Sequence, residues 1–126
     1  MDLTFQNVEK EFSEFQTMYG HPGGTYLLAF VDDDVAGGVG LRKLEVGVCE
    51  MKRLYVYDRF KEKGIGKALC EELIREAKRI GYASMKLDTI DRLVTAIRLY
   101  ESLVFTDIKK YRNNPDPTAR FMELKL

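Results

Sequence analysis

The chain has 126 residues, of which 45% are hydrophobic and 32% are charged, and its twenty basic residues balance twenty acidic ones. This composition is typical of one soluble globular domain, here residues 1–126, with enough apolar side chains for a real core. A neutral chain has no overall field that would draw it to nucleic acid or to a membrane, and no apolar run approaches the roughly 20 residues that span a bilayer.

The cysteine content and the N-terminus both favour a cytoplasmic protein. Residues 1–5 have neither the basic nor the apolar stretch of a secretory signal. Cys49 and Cys70 belong to no paired motif, so we expect reduced, buried thiols. Among the His, Cys and Asp residues, no cluster has the spacing of metal ligands, and the single histidine, His21, is expected in an exposed turn beside glycine and proline.

Helical and strand patterns alternate along the chain. Apolar residues three and four apart predict a first helix at residues 7–19, and residues 3–8 either supply a short strand before it or leave that strand absent. The remaining pattern predicts strands at Thr25–Val31, Val35–Leu41, Val46–Tyr57, Ser84–Thr89, Phe105–Tyr111 and Arg120–Leu126, and helices at residues 63–80 and 91–102. This order describes a mixed α/β domain in which helices cover a sheet.

Glycines mark special backbone positions within these elements. Gly37, Gly38 and Gly40 fall inside one predicted strand, where they indicate a bulge or the close approach of another backbone. Gly81 follows the last apolar residue of the 63–80 helix, which is the place of a left-handed C-terminal cap.

The segment from Glu50 to Leu69 carries the strongest functional pattern. A strand runs into a basic turn with two glycines, Gly64 and Gly66, and the turn opens directly into a helix. The first N–H groups of a helix lack intrahelical partners and carry partial positive charge, so such a start is suited to a phosphate. Neither the phosphate-loop string nor the third glycine of a dinucleotide fingerprint is present.

Two motifs in this sequence resemble those of the GCN5-related N-acetyltransferase (GNAT) family. Lys61-x-x-Gly64-x-Gly66 is similar to the family's acyl-CoA pyrophosphate loop, (Arg or Gln)-x-x-Gly-x-(Gly or Ala), and residues 96–105 are similar to its Ala-x-x-Leu-Tyr-x-x-x-Gly-Phe. The resemblance covers residues 25–126. It implies the family's mixed, mostly antiparallel sheet with flanking helices, here with a shortened N-terminal part, and transfer of an acetyl group from acetyl-CoA to an amine of a small molecule or peptide.

The resemblance also assigns residues to the cofactor. The strand backbone that would pair with the pantetheine arm, and could polarise the thioester carbonyl, corresponds to Leu54, Tyr55 and Val56. The pyrophosphate loop corresponds to Lys61, Glu62, Lys63, Gly64, Ile65, Gly66, Lys67 and Ala68. Tyr100 matches the tyrosine that would protonate the leaving thiolate, and a core tyrosine on the same helix face is the alternative.

Glu50 matches the position where several family members place a glutamate general base. An alkylamine has a pKa of about 10 and must lose a proton before it attacks, which a nearby carboxylate can accept directly or through water. The alternative is a strand carboxylate that pairs with Lys52, Arg53 or another neighbour.

Four positions depart from the family pattern. Leu93 stands where many members have an asparagine that contacts the cofactor, so this role is not assigned here. Lys61 replaces arginine or glutamine, and Glu62 and Val104 stand where glycine is common. A β-branched residue is strained if the turn at Val104 needs a positive φ. These departures favour a second candidate function, a non-catalytic acyl-CoA-binding regulatory module on the same fold. A third candidate, a nucleic-acid-binding domain, rests only on the local lysines.

The acceptor is expected between the first helix, the Gly20–Gly24 loop, the strand at Glu50 and the Asn113–Pro117 loop. These segments offer Tyr19, His21, Glu50, Arg53, Tyr111, Arg112 and Asn114, whose mixed charges do not select one substrate class. Lys109, Lys110 and Arg112 are expected on a solvated strand face. Unpaired edge strands would allow a homodimer.

Overall fold

The computed structural model describes residues 3–7 and 23–126. The strands in these ranges are β1 (Leu3–Asn7), β2 (Thr25–Val31), β3 (Asp34–Glu45), β4 (Val48–Val56), β5 (Ser84–Thr89), β6 (Thr106–Ile108) and β7 (Arg120–Lys125). Two α-helices are described, α1 (Ile65–Ile80) and α2 (Val94–Ser102), and a 3₁₀ turn at Asp58–Phe60 joins β4 to the loop before α1.

The strands form one mixed sheet in the order β1-β2-β3-β4-β5-β7-β6. Every neighbouring pair is antiparallel except β4 and β5, which run parallel. The predicted fold class, a mostly antiparallel mixed sheet with flanking helices, is confirmed. The first strand is present, because Leu3 pairs with Val31 and Asn7 with Leu27. The predicted helix at residues 7–19 lies outside the described residues, apart from Asn7, which belongs to β1.

Several predicted boundaries were wrong, and pairing with distant residues accounts for the differences. β3 continues beyond Leu41 to Glu45 because its polar end still pairs with β4. β4 begins at Val48 because Gly47, with φ 77°, turns the chain before it. The strand predicted to reach Tyr111 ends at Ile108, and α2 begins three residues later than the sequence predicts.

The core lies between α1 and the sheet. The apolar stripe of α1 places Leu69, Cys70, Leu73 and Ala77 in full burial, and it packs against β2, β3 and β4. Each such leucine contributes about 2 kcal/mol of hydrophobic stabilisation. Cys49 is buried as well, and burial raises the pKa of both cysteine thiols to about 12. The predicted role of the cysteines as small core side chains is confirmed.

The predicted glycine positions are confirmed in detail. Gly81 has φ 108° and its N–H donates to the carbonyl oxygens of Ala77 and Lys78, so it ends α1 as a left-handed cap. A Cβ atom on Gly37 would lie 2.3 Å from the carbonyl oxygen of Tyr55. The close approach of β4 therefore excludes any side chain at Gly37.

The turn after α2 requires a positive φ from a residue that is poorly suited to it. Val104 has φ 74°, and its N–H donates to the carbonyl oxygen of Glu101. A β-branched residue in this region is strained by about 1–3 kcal/mol. Because the side chain is 70% exposed, little packing offsets this cost.

We therefore expect Val104→Gly to stabilise the fold. Relief of strain exceeds the added entropy of the unfolded chain by about 1 kcal/mol, which corresponds to a rise in Tm of about 4 °C. Differential scanning calorimetry of both proteins checks the shift. Val46→Gly is the matched control, since Val46 is also exposed and does not have a positive φ; an equal gain there would contradict the strain argument.

Candidate active site

The sheet opens between its two parallel strands. The β4–β5 ladder has the pairs Val48–Ser84, Cys49–Met85 and Glu50–Lys86, yet β4 continues to Val56 and β5 to Thr89. In the described part of the chain, residues 51–56 of β4 thus have no ladder partner on the β5 side. We call the opening between residues 51–56 and 87–89 the wedge. Its β4 edge presents backbone N–H and C=O groups to which an extended ligand can bind.

A β-bulge changes the direction of β4 at the wedge. Gly38 pairs with Tyr55 and Gly40 with Lys52, so Arg53 and Leu54 together lie opposite the single residue Val39. Arg53 takes φ 56° at this point. This extra residue lies on β4. The glycine-bearing strand β3 has a bulge of its own, with Ala36 between the pairs Ala29–Gly37 and Phe30–Val35, in agreement with the prediction. A bulge re-aims the backbone that follows it, here the predicted pantetheine strand at residues 54–56.

The start of α1 has the backbone form of an anion site. Gly64 is the N-cap with φ 78°, and it supplies no side-chain hydrogen bond to the first turn. The N–H groups at the start of the helix point out of it without intrahelical partners, and the helix dipole adds positive potential there. Glu62 in the same loop also has a positive φ, 63°, which explains why glycine is common at its position in the family pattern.

Three lysines flank this helix start, and they differ in their partners. Lys61 Nζ lies 3.0 Å from Asp58 Oδ1, so its charge is partly compensated. Lys63 and Lys67 are exposed, and neither forms an ion pair with any described residue. The uncompensated positive charge beside the open N–H groups therefore comes from Lys63 and Lys67.

The wedge, the start of α1 and helix α2 meet at Gly66. A Cβ atom built on Gly66 would lie 3.5 Å from Leu99 Cδ2 and 3.7 Å from Val56 Cγ2. Val56 ends the strand that lines the wedge, and Leu99 precedes Tyr100. The two sequence motifs are therefore adjacent in space.

Tyr100 is buried on α2, with its ring centroid 5.9 Å from that of Phe105. Burial raises its pKa above the usual value of 10, and the charges of Cys70 and Asp88 raise it further. The phenol consequently stays protonated at neutral pH and can act as a proton donor. In the described part of the chain, its hydroxyl has no hydrogen-bond partner, so it is available to a ligand.

Glu50 lies at the apex of the wedge, in the last pair that joins β4 to β5. Its side chain is completely buried. Arg42 Nε donates to Oε1 at 2.8 Å, while the Tyr111 hydroxyl and Arg112 Nη1 donate to Oε2 at 2.6 and 3.0 Å. Lys52 Nζ lies 3.8 Å from Oε1. Both carboxylate oxygens are therefore engaged by side chains from three different segments.

These contacts keep Glu50 ionised. Burial raises the pKa of its carboxyl, but the hydrogen bond from Tyr111 and the charges of Lys52 and Arg42 together outweigh burial, so the pKa lies below 4.5. Tyr111 shows the reverse effect, since burial and the Glu50 carboxylate both raise its pKa. Glu50 is thus a charged anchor for its neighbours, which agrees with the predicted alternative of a paired strand carboxylate; its role as a general base stays a prediction.

The sequence missed part of this arrangement. Arg42, Lys86 and Asp88 were not proposed as site residues, although strand alternation places Lys86 and Asp88 on one face of β5. The prediction that Arg112 lies on a solvated strand face was wrong, because Arg112 lies against Glu50. Lys109 and Lys110 are exposed, as expected, but they lie outside any strand.

Part of the predicted acceptor site lies outside the described residues. Tyr19 and His21 fall there, as does the expected exposed turn at His21. Asn114 does reach the site, because its Nδ2 donates to Asp88 Oδ2 at 3.0 Å. Among residues 3–7 and 23–126, no group of three His, Cys, Asp or Glu side chains is arranged to hold a metal ion, and no helix is long and apolar enough to cross a membrane.

Comparison with known proteins identifies the class to which this fold and site belong. A GNAT family acetyltransferase from Elizabethkingia anophelis, solved with acetyl-CoA bound, superposes with a TM-score of 0.78 at 17% identity over 98% of both chains. The fold is therefore that of an acyl-CoA N-acyltransferase.

The sequence itself establishes the family. The model of the Acetyltransferase (GNAT) family matches residues 2–105. An uncharacterised N-acetyltransferase of Schizosaccharomyces pombe is 41% identical over 128 aligned residues, which cover all of this chain and 78% of that protein. Human N-acetylaspartate synthetase is 38% identical over 67% of this chain and 28% of its own length. This chain belongs to the GNAT family of N-acetyltransferases, as the two motifs predicted.

The buried carboxylate leads to a pH-dependent prediction. A carboxyl whose folded pKa is depressed stabilises the native state above its unfolded pKa, and this contribution is lost as the pH falls through the folded pKa. We expect Glu50→Gln to cost about 2–4 kcal/mol at pH 7, because three cations lose their common partner. Urea unfolding at pH 7 and at pH 3.5 measures both effects.

In the wild-type protein the free energy of unfolding should fall below about pH 4.5, whereas the Gln variant should lack this part of the decline. Glu72→Gln, which removes a surface pair with Arg75 on α1, is the matched control and should change stability by less than about 1 kcal/mol. Parallel pH curves for the wild type and Glu50→Gln would contradict the assigned ionisation.

Proposed function

We propose that this protein binds acetyl-CoA along the wedge and transfers its acetyl group to a primary amine of a small molecule or peptide. The observation that carries the proposal is the meeting around Gly66 of an unpaired β4 edge, an open helix start and α2, the helix that carries Tyr100. In this arrangement the pantetheine arm pairs with residues 54–56, and the pyrophosphate binds the N–H groups at residues 63–67. Ala68, the last residue of the predicted loop, donates its N–H to the carbonyl oxygen of Gly64.

The residues present fit such a ligand. The left-handed Gly64 and the small Gly66 keep the backbone of the loop accessible, and Lys63 and Lys67 add charge opposite in sign to a pyrophosphate. Bound acetyl-CoA would supply the acetyl group as a thioester. The unpaired N–H groups at the wedge are placed to polarise the carbonyl of that thioester.

The transfer needs two proton movements, and the chain offers a group for each. The departing thiolate must gain a proton, and Tyr100 is the candidate donor because its phenol is protonated at neutral pH. The acceptor amine must lose a proton. Glu50 is the predicted base, but its oxygens already accept three hydrogen bonds, which favours loss of that proton through water.

An acceptor with an amino-acid-like amine has support among the relatives, since one of them is named for making N-acetylaspartate. The relative's name does not define the acceptor of this chain. A panel of amines with acetyl-CoA, followed by release of free thiol, tests the activity. Acetyl-CoA binding without thiol release from any amine would instead favour the regulatory module.

We further infer a cytoplasmic enzyme, supported by two unpaired cysteines that lie in the core. A homodimer remains a prediction that rests on the edge strands β1 and β6. Sedimentation equilibrium measures the mass of the particle directly.

The lysines at the helix start yield a binding prediction. Removing two uncompensated charges in Lys63→Ala/Lys67→Ala should weaken CoA binding about tenfold, near 1.4 kcal/mol, and should flatten the salt dependence of the Kd. Isothermal titration calorimetry at two ionic strengths gives both numbers. Lys78→Ala, in the last turn of the same helix, is the control and should leave the Kd unchanged; equal weakening there would argue against a specific site.

Tyr100 yields a kinetic prediction. Tyr100→Phe retains the ring and its packing but removes the proton, so kcat should fall about 10–100-fold while the KM for acetyl-CoA changes little. Steady-state kinetics with thermal unfolding as a control for the fold separates the two roles. A loss in KM and Tm without a loss in kcat would identify Tyr100 as a packing residue.

A further inference from the structure

Positive charge is concentrated at the apex of the wedge. Four cations lie there, Arg42, Lys52, Lys86 and Arg112, beside the carboxylates Glu50 and Asp88. A third carboxylate, Glu123, lies opposite Lys86 on β7 and pairs with Lys125. The chain as a whole is neutral, so this excess is local. We call the four cations together with Glu50 and Asp88 the apex cluster.

Glu50 holds the arginines of this cluster in place without using most of their donors. Arg42 donates through Nε and Arg112 through Nη1, and each guanidinium has five N–H donors. The side chains of Arg42, Lys52 and Arg112 remain 28%, 19% and 32% exposed. Their remaining donors are therefore open to a ligand in fixed positions, the condition for selective recognition of a carboxylate.

Lys86 and Lys52 indicate that the cluster has more positive charge than its own carboxylates neutralise. Lys86 Nζ lies 5.2 Å from the centre of the Tyr111 ring and has no carboxylate within ion-pair distance among the described residues. Burial lowers the pKa of Lys52, and the charges of Arg112 and Arg42 lower it further, against the opposite effect of Glu50 and Asp88. A bound anion would relieve this repulsion.

Asp88 supplies the complementary charge on the side of Tyr100. It is two residues beyond Lys86 on β5, where the strand borders the wedge. Asn114 donates to its Oδ2 at 3.0 Å, and Oδ1 has no hydrogen bond in the described part of the chain. Its charge acts on Tyr100 as well as on Arg112. Asp88 thus lies within electrostatic reach of both the proton donor and the cations.

We propose that the acceptor is an amine that carries its own carboxylate, with the carboxylate bound by Arg42, Lys52 and Arg112 and the amine held beside Asp88 in the wedge. This inference rests on the proposed acetyl transfer and names the substrate class of that site. Neutral and polycationic amines lack the group that the apex cluster recognises, and a polycation would be repelled by it.

The acetyl transfer rate with matched acceptors tests the proposal on the unmodified enzyme. We expect kcat/KM for glycine, β-alanine and aspartate to exceed that for the corresponding amides at least tenfold. The intrinsic reactivity of the amino groups would give the opposite preference, because the amino group of an amino-acid amide has a lower pKa than that of the free acid and loses its proton more readily. A preference for the free acid must then come from binding of the carboxylate.

The variant Arg112→Gln tests whether this side chain binds the carboxylate of the acceptor. It should lower kcat/KM for the acids about 10–30-fold more than for the amides, through KM, and this difference should be partly restored in Arg112→Lys. Arg75→Gln, a surface arginine on α1 paired with Glu72, is the control and should leave both substrate series unchanged. If Arg112→Gln does not fold, Lys52→Gln provides the same comparison, because Lys52 Nζ lies 3.8 Å from Glu50 Oε1 and removing it leaves all three hydrogen bonds to Glu50 in place.

The outcomes separate this proposal from the proposed function. Absence of transfer to every amine overturns the acetyltransferase activity itself. Transfer with equal or better rates for amides and neutral amines leaves that activity intact and overturns the carboxylate-bearing acceptor. If Arg112→Gln and Lys52→Gln lower kcat/KM by the same factor for acids and amides, the apex cluster is overturned as the binding site of the carboxylate.

Discussion

The end of the β4–β5 ladder at Glu50 and Lys86 is the constraint on which the rest of the site depends. Parallel strands that stayed paired would satisfy the backbone of residues 51–56 and leave nothing for a ligand to pair with. β5 pairs with β7 along its full length on its other edge, so the sheet remains continuous, while residues 51–56 of β4 are left open on the β5 side. The bulge at Arg53 and Leu54 changes the direction of this open edge next to the start of α1.

Glu50 links that opening to the charge around it. A carboxylate without exposure is costly unless cations and hydrogen bonds compensate it, and here β3, β4 and the loop after β6 each contribute a partner. The same contacts that stabilise the carboxylate fix two guanidinium groups beside the wedge. Glu50 thereby links the folding of three segments to the positions of the cations beside the wedge. The contacts that keep Glu50 ionised are thus the same contacts that position the side chains proposed to bind the carboxylate of the acceptor.

The positions that depart from the family pattern affect the backbone more than the site. Glu62 and Val104 both take positive φ values, so they occupy the conformation for which glycine is common while adding strain. Lys61, the third departure, is paired with Asp58, and the uncompensated charge at the helix start comes from Lys63 and Lys67. The loop therefore retains an anion site although its first residue differs from the usual arginine or glutamine.

The sequence by itself determined the order of strands and helices along the chain after residue 25, helix α1 with its glycine-bearing start and its Gly81 end, and the tyrosine motif on α2. Such features depend on periodicity, capping and glycine conformation, which are set by residues close together in the chain. Only the tertiary structure decided where the β4–β5 ladder ends, which strand carries the bulge at the wedge, and which cations meet Glu50. Tyr111 and Arg112 are 61 and 62 residues away from that carboxylate in the chain, so no local pattern could place them there; their positions follow from sheet pairing and from the burial of a single charge.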